Sequence, residues 1–168
     1  MAGEPTRWVV ERDDPTRDDI QHLVRTHRDW SLQQTPQEFS FSVEPHGIAD
    51  AGITLYSARS NSGALLGVGG LRQLSDDHVE IKTMHTAERA RGRGVGRAVL
   101  QALLDDARRR GCTRASLETG TGESFRPARH LYESFGFHVG EAFGEYASSE
   151  HNLFMTLDLS DTARGSGV

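Results

Sequence analysis

The sequence predicts an α/β fold built on one mixed sheet with at least one parallel crossover. Three observations predict it. Short alternating runs and longer amphipathic runs follow in the order strand, helix, several hairpin strands, then strand–helix–strand–helix–strand. The stretch SNSG at residues 60–63 is hairpin turn chemistry between two strand-like runs. A strand at residues 78–86, a long helix and a strand at 114–118 form the strand–helix–strand unit that joins parallel neighbours.

Residues 8–11 (WVVE) open the chain's ordered part as a short strand. Thr16 is placed to cap the first helix; Asp18 and Asp19 favour its first turn, and Ile20, Leu23, Val24 and His27 share one face. This helix fades near residues 33–36, and residues 35–52 fit either a loop or a short irregular second helix. Residues 52–59 (GITLYSAR) and 64–74 (ALLGVGGLRQL) read as paired strands, followed by a turn at 75–77 and the strand HVEIKTMHT at 78–86. In the next helix Val95, Val99 and Leu103, with Leu100 and Leu104, make an apolar stripe. Arg108, Arg109 and Arg110 suit the negative end of its dipole, and Gly111 suits the residue just past it. After the strand at 114–118, Pro127 fits the first turn of a short helix carrying Leu131, Tyr132 and Phe135, stopped by Gly136. Residues 137–139 and 152–159 (NLFMTLDL) close the sheet. Without repeats, long linkers or low-complexity blocks, residues 1–168 read as a single domain, with 1–6 and 160–168 expected as flexible ends.

Composition narrows the function. No apolar run approaches the roughly 20 residues that span a bilayer, and the N-terminal stretch lacks the apolar core of a secretory signal. Cys112 is the single cysteine, which excludes an internal disulfide and fits a reducing cytoplasm; a buried structural thiol is the expected role. The net charge of −5 argues against a dedicated nucleic-acid binder. Eight histidines are present, yet none pairs as H-x-x-x-H or with the cysteine, so no metal site is expected.

One local exception carries most of the functional signal. Arg91, Gly92, Arg93, Gly94, Val95 and Gly96 lie between a strand and a strongly amphipathic helix. Free backbone N–H groups at a helix N-terminus make an anion site, glycines let a phosphate come close, and arginines add charge-assisted contacts. A Walker A loop is excluded because no Gly-Lys pair precedes a Ser or Thr (Lys82-Thr83 follows Ile81 and lies before the glycines), and the alternating glycines have the wrong spacing for a dinucleotide fingerprint. What remains is R-x-x-G-x-G, met by Arg91, Gly94 and Gly96; a basic solvated loop is the competing reading.

The run EIKTMHTAERARGRGVGRAVLQALLDDARRRG resembles the acetyl-CoA motif of the GNAT (N-acetyltransferase) superfamily: a bulged strand, a pyrophosphate loop and a helix. The run SLETGTGESFRPARHLYESFGF resembles the superfamily's second motif, ending in LY-x-x-x-GF at Leu131, Tyr132, Gly136 and Phe137. The likeness is strongest over residues 63–159, and EIKTM, SLETG and FGEY followed by LFM resemble one bacterial branch, mostly of unassigned substrate, some members of which are labelled as acetylating indole-3-acetic acid or similar small molecules. One position departs: where many members have Asn seven residues before the helix tyrosine, this chain has Phe125.

The resemblance implies a mostly antiparallel GNAT-type sheet flanked by about four helices, acetyl-CoA as acyl donor without a metal, and an amine acceptor that is a small molecule rather than a protein. It also implies direct attack in a ternary complex, and family members frequently form homodimers. Met84, His85 and Thr86 would pair with the pantetheine arm, a backbone N–H near Met84 or His85 would face the thioester oxygen, and residues 91–96 would bind the pyrophosphate. Tyr132 would contact the cofactor and act as general acid, although it fits equally as a packing residue beside Leu131 and Phe135. Glu80 is the candidate base, set against an exposed ion pair with Lys82 two residues along; His85 is the rival base. Trp30, Phe39, Phe41, Tyr56, the 143–146 segment (FGEY) and Asn152 are candidates for the acceptor side and fit equally as core or surface residues; Glu118 and Glu123 are placed to meet a cationic amine or to stand as solvated carboxylates. Competing functions are a catalytically inactive acetyl-CoA-binding module and a nucleic-acid binder using the Arg/Gly loop.

Overall fold

The computed structural model describes residues 8–36, 38 and 43–160. Of the expected flexible ends, 1–6 and 160–168, all but Ser160 lie outside these residues, as do the acceptor candidates Phe39 and Phe41.

Seven strands form one sheet: β1 (Trp8–Arg12), β2 (Ile53–Ser60), β3 (Leu65–Ser75), β4 (His78–Thr86), β5 (Arg114–Gly120), β6 (His138–Val139) and β7 (Asn152–Asp158). Their order is β1-β2-β3-β4-β5-β7-β6, and every neighbouring pair is antiparallel except β4 with β5. Helix α1 (Asp18–Gln34) follows β1, α2 (Val95–Arg109) makes the crossover from β4 to β5, and α3 (Arg126–Ser134) precedes β6. The described part of the ambiguous 35–52 segment contains a 3-10 turn at Pro45–Gly47 and no α-helix, so three α-helices flank the sheet among the described residues.

Thr16 does not cap α1. Its hydroxyl and its N–H both bond Asp14 Oδ1, at 2.6 and 2.8 Å, so the Asp14 turn takes the group the cap would need; Arg17 is the N-cap and makes no side-chain cap bond. The other two helices end as their glycines predict. Gly111 has φ +81°, with Gly111 N–H bonded to Arg108 O and Cys112 N–H to Ala107 O; Gly136 (φ +97°) closes α3 in the same double pattern.

Alternation along β2 sends Leu55 and Tyr56 into different hydrophobic clusters, so opposite faces of the sheet are covered. Ile20 and Val24 of α1 pack with Ile48, Ile53, Leu55, Leu65 and Val68 on one face. The α2 stripe and Tyr132 pack on the other against Leu71, Val79, Ile81, Leu117 and Met155. Each fully buried aliphatic side chain contributes about 1.5–3 kcal/mol of transfer free energy. Cys112 is buried in this second cluster.

Strand β3 is cleared of side chains where helices press closest. A Cβ on Gly67 would lie 2.8 Å from Val95 Cγ1 and 3.0 Å from His85 O; one on Gly69 would lie 2.6 Å from both Met84 Sδ and Val99 Cγ1. The pairing of β3 with β4 slips between Val68 and Gly70, and Thr83 in the bulged stretch has φ +57°. A β-branched residue there costs on the order of 1–3 kcal/mol, the kind of strain that collects at functional sites.

Candidate active site

The parallel pairing of β4 with β5 covers only His78, Glu80 and the residue between them, against Arg114, Ser116 and the residue between. Beyond Glu80 no ladder joins the two strands, and a cavity of about 130 Å³ opens between them. Its sheet walls are residues 80–85 of β4 and 118–120 of β5; α1 supplies Val24, His27, Arg28 and Ser31, and α3 supplies Ala128 and Tyr132. Phe125, the position that departs from the expected motif, also lines it and lies so close over Gly120 that a Cβ there would clash with the ring.

Glu80, His85 and Tyr132, proposed from sequence as a chemical set, line this one cavity together with Met84. Glu80 differs from the exposed ion pair considered for it. Its pairing with Lys82 exists, at 3.5 Å, but Glu80 is only 1 % exposed. Tyr146 donates to Glu80 Oε2, and Lys82 Nζ donates to Tyr146 Oη at 2.5 Å. Among the described residues Glu80 Oε1 accepts no hydrogen bond, with Arg72 Nη1 3.8 Å away.

Burial shapes the remaining titratable groups. It raises the Tyr132 phenol above its ordinary range, with the Glu118 charge adding to the effect, so the hydroxyl keeps its proton. Burial also raises Glu118, opposed by Asn152 Nδ2 donating to Oε1 at 2.6 Å. The Tyr146 phenol is raised by burial and by its bond to Glu80. His85 stacks on His27 with ring centroids 3.3 Å apart. Burial pushes His27 down to about 4, helped by the charge of Arg91, and holds His85 well below 6.5, helped by His27.

The anion loop lies at the end of β4. After a 3-10 turn at Glu88–Ala90, Gly92 (φ +75°) and Gly94 (φ +88°) take left-handed conformations, and Gly94 is the N-cap of α2. Arg91, Gly92, Arg93 and Gly94 are exposed. Among the described residues, no recorded bond engages the N–H groups of residues 92–97, and the first turn of a helix has no internal acceptor for them. Thr86 Oγ1 sits 3.5 Å from where a Cβ on Gly96 would be, so the strand end and the helix N-terminus meet. That arrangement fits a phosphate-bearing ligand.

Several acceptor-side assignments change. Tyr56 is not at the cavity: it lies in the α2-side cluster, and its hydroxyl donates to Asp106 Oδ2 at 2.7 Å. Trp30 packs against His27 and Phe125, two lining residues. Phe143 and Tyr146 pack on Phe154 of β7, from where Tyr146 reaches Glu80. Glu118 and Asn152 meet at the cavity wall, whereas Glu123 is exposed and pairs with Arg126. The His27–His85 stack and the place of Arg28 at the cavity wall were not visible in sequence; only the position of His27 on the buried face of α1 hinted at the first.

Residues 17–137 match the model of the acetyltransferase (GNAT) family. The chain is 37 % identical to the uncharacterized N-acetyltransferase YsnE of Bacillus subtilis, over 89 % of this chain and 99 % of that one. It is 29 % identical to the IAA acetyltransferase of Azospirillum brasilense, over 90 % and 97 %. Among solved structures, an acyl-CoA N-acyltransferase from Klebsiella pneumoniae superposes with a TM-score of 0.74 at 25 % identity, covering 90 % of this chain and 97 % of that one. The acetyltransferase YncA of Salmonella typhimurium, solved with its cofactor acetyl-CoA, superposes with a TM-score of 0.65 at 18 % identity, covering 92 % and 95 %.

Proposed function

The chain belongs to the GNAT family of acetyl-CoA-dependent N-acetyltransferases, and from that premise we propose that it acetylates a small-molecule amine by direct attack within a ternary complex, in the cytoplasm. The observation that carries the reading is the junction of three features at one place: an anion loop, the end of a bulged strand, and a cavity holding Glu80 and Tyr132.

Acetyl-CoA, when bound, supplies the acetyl thioester; the chain's residues bind, orient and move protons. The N–H groups of residues 92–96, with Arg91 and Arg93, hold the pyrophosphate. The strand end at Met84, His85 and Thr86 would offer backbone groups to the pantetheine arm, and an N–H near Met84 or His85 would polarise the thioester carbonyl. Glu80 draws the proton from the attacking ammonium, its Oε1 being the oxygen without a hydrogen bond among the described residues. Tyr132, kept protonated by burial, returns a proton to the departing sulfur. His85 contributes through its backbone, because a buried imidazole held well below 6.5 is a weak base.

Isothermal titration with acetyl-CoA and with CoA tests the reading. Micromolar binding is expected, and Gly94→Asp abolishes it: the substitution puts a side chain at φ +88° and a carboxylate where the phosphates bind. Undiminished affinity in that variant removes the loop assignment.

A further inference from the structure

The cavity walls are unlike in charge. On the α1 side stand Arg28 and Ser31, one turn apart and facing the same space. Arg28 Nη2 bonds Glu44 at 2.7 Å, but its Nε is buried and donates to nothing among the described residues. On the sheet side stand the carboxylates of Glu80 and Glu118. Lys82, the other cation lining the cavity, is already engaged with Tyr146 and Glu80. One wall therefore holds an unmet buried donor on a guanidinium, and the other holds Glu80 Oε1, an acceptor with no hydrogen bond among the described residues. A buried donor or acceptor left unmatched is unfavourable, so a ligand that brings an acceptor to Arg28 and a donor to Glu80 is favoured over one that brings either.

Building on the acetyltransferase reading above, we propose that the acceptor is a free α-amino acid or a close aminocarboxylate, its carboxylate bound by Arg28 with Ser31 and its ammonium drawn to Glu80 and Glu118. Val24, Val43, Met84 and Phe125 add apolar patches between the polar groups of the lining, which suits an apolar side chain. A polyamine or aminoglycoside would bring further positive charge against Arg28 and Lys82. A lysine side chain in a protein carries no carboxylate for Arg28, and a carboxylate without an amine brings no donor to Glu80 Oε1. In the reaction the amino nitrogen bonds to the acetyl carbon as the carbon–sulfur bond breaks. An ammonium and an acetyl thioester become an amide, a free thiol and one proton released to solvent.

The test measures thiol release from acetyl-CoA with leucine, methionine and phenylalanine, each beside the amine that lacks only its carboxylate. The amino acids are expected to exceed their amines in kcat/KM by roughly 10- to 100-fold, the range of one charged hydrogen-bonded contact. Arg28→Gln should shrink that ratio toward one, mainly through KM of the amino acid, and Arg28→Lys should restore part of it. Calorimetry with acetyl-CoA on each variant establishes that the fold and donor site persist. Amines used as well as the amino acids, an unchanged ratio in Arg28→Gln, or acetyl-CoA binding with no amino acid consumed would each overturn the proposal while leaving the acetyltransferase reading in place. Failure to bind acetyl-CoA at all would overturn both.

Discussion

Replacing Gly69 by alanine tests how β3 supports the site. The added Cβ would lie 2.6 Å from Met84 Sδ, 2.6 Å from Val99 Cγ1 and 2.9 Å from Leu103 Cδ1, where ordinary carbon contacts are roughly 3.5–4.0 Å. Val99 and Leu103 are buried in the α2 stripe, and a valine on a helix is nearly fixed in one rotamer, so about 1 Å of relief must come from the helix or from Met84. Overpacking of this kind costs about 1–3 kcal/mol. At roughly 2–4 °C per kcal/mol for a chain of this size, the melting temperature should fall by about 2–12 °C. Gly47→Ala is the matched control: φ there is not left-handed, and its Cβ would meet Glu44 Cβ at an ordinary 3.8 Å. That variant should be neutral or gain about 0.4–1 kcal/mol. Differential scanning fluorimetry of both variants and the parent reads the difference. Equal melting temperatures for the two would refute the packing argument.

Two further outcomes follow from the cavity's chemistry. Tyr132→Phe should lower kcat on the order of 10²-fold while acetyl-CoA affinity by calorimetry stays unchanged; undiminished turnover would remove the acid role. Because the fold holds His27 at about 4 against an ordinary 6.5, the unfolded chain takes up the proton first, and stability present above pH 6.5 is lost as pH falls toward 4. Roughly 2 kcal/mol of a full ~3 kcal/mol should be gone by pH 5, so urea unfolding at pH 7.5 and pH 5 should show a smaller drop in His27→Gln than in the parent. An equal drop in the two proteins would count against the burial account.

Local chemistry was legible wherever it had no competitor. The α2 stripe, Gly111 and Gly136 each follow from a period or a backbone angle, and all stand where the sequence puts them. Thr16 was misread because a nearer acceptor, Asp14, held its hydroxyl, a choice that residue propensity does not encode. In the site, Glu80, His85 and Tyr132 could be named because motifs fix their places on β4 and α3. Their company could not. Tyr146 reaches Glu80 from 66 residues away, and His27 meets His85 only because α1 lies across the parted strands. Tyr56 stayed open between the acceptor side and the core, because alternation assigns a face only after one residue of the strand is anchored; it lies in the core.

Gly67 holds no candidate catalytic group, yet it acts as a gauge block. With no side chain between them, Val95 rests directly on the sheet beside the His85 carbonyl. The start of α2 is thereby set at a fixed height above the end of β4. On the proposed reading, a ligand gripped at the helix start and reacting in the cavity would span that interval, so a residue touching neither end would help set which length of arm reaches Glu80 and Tyr132.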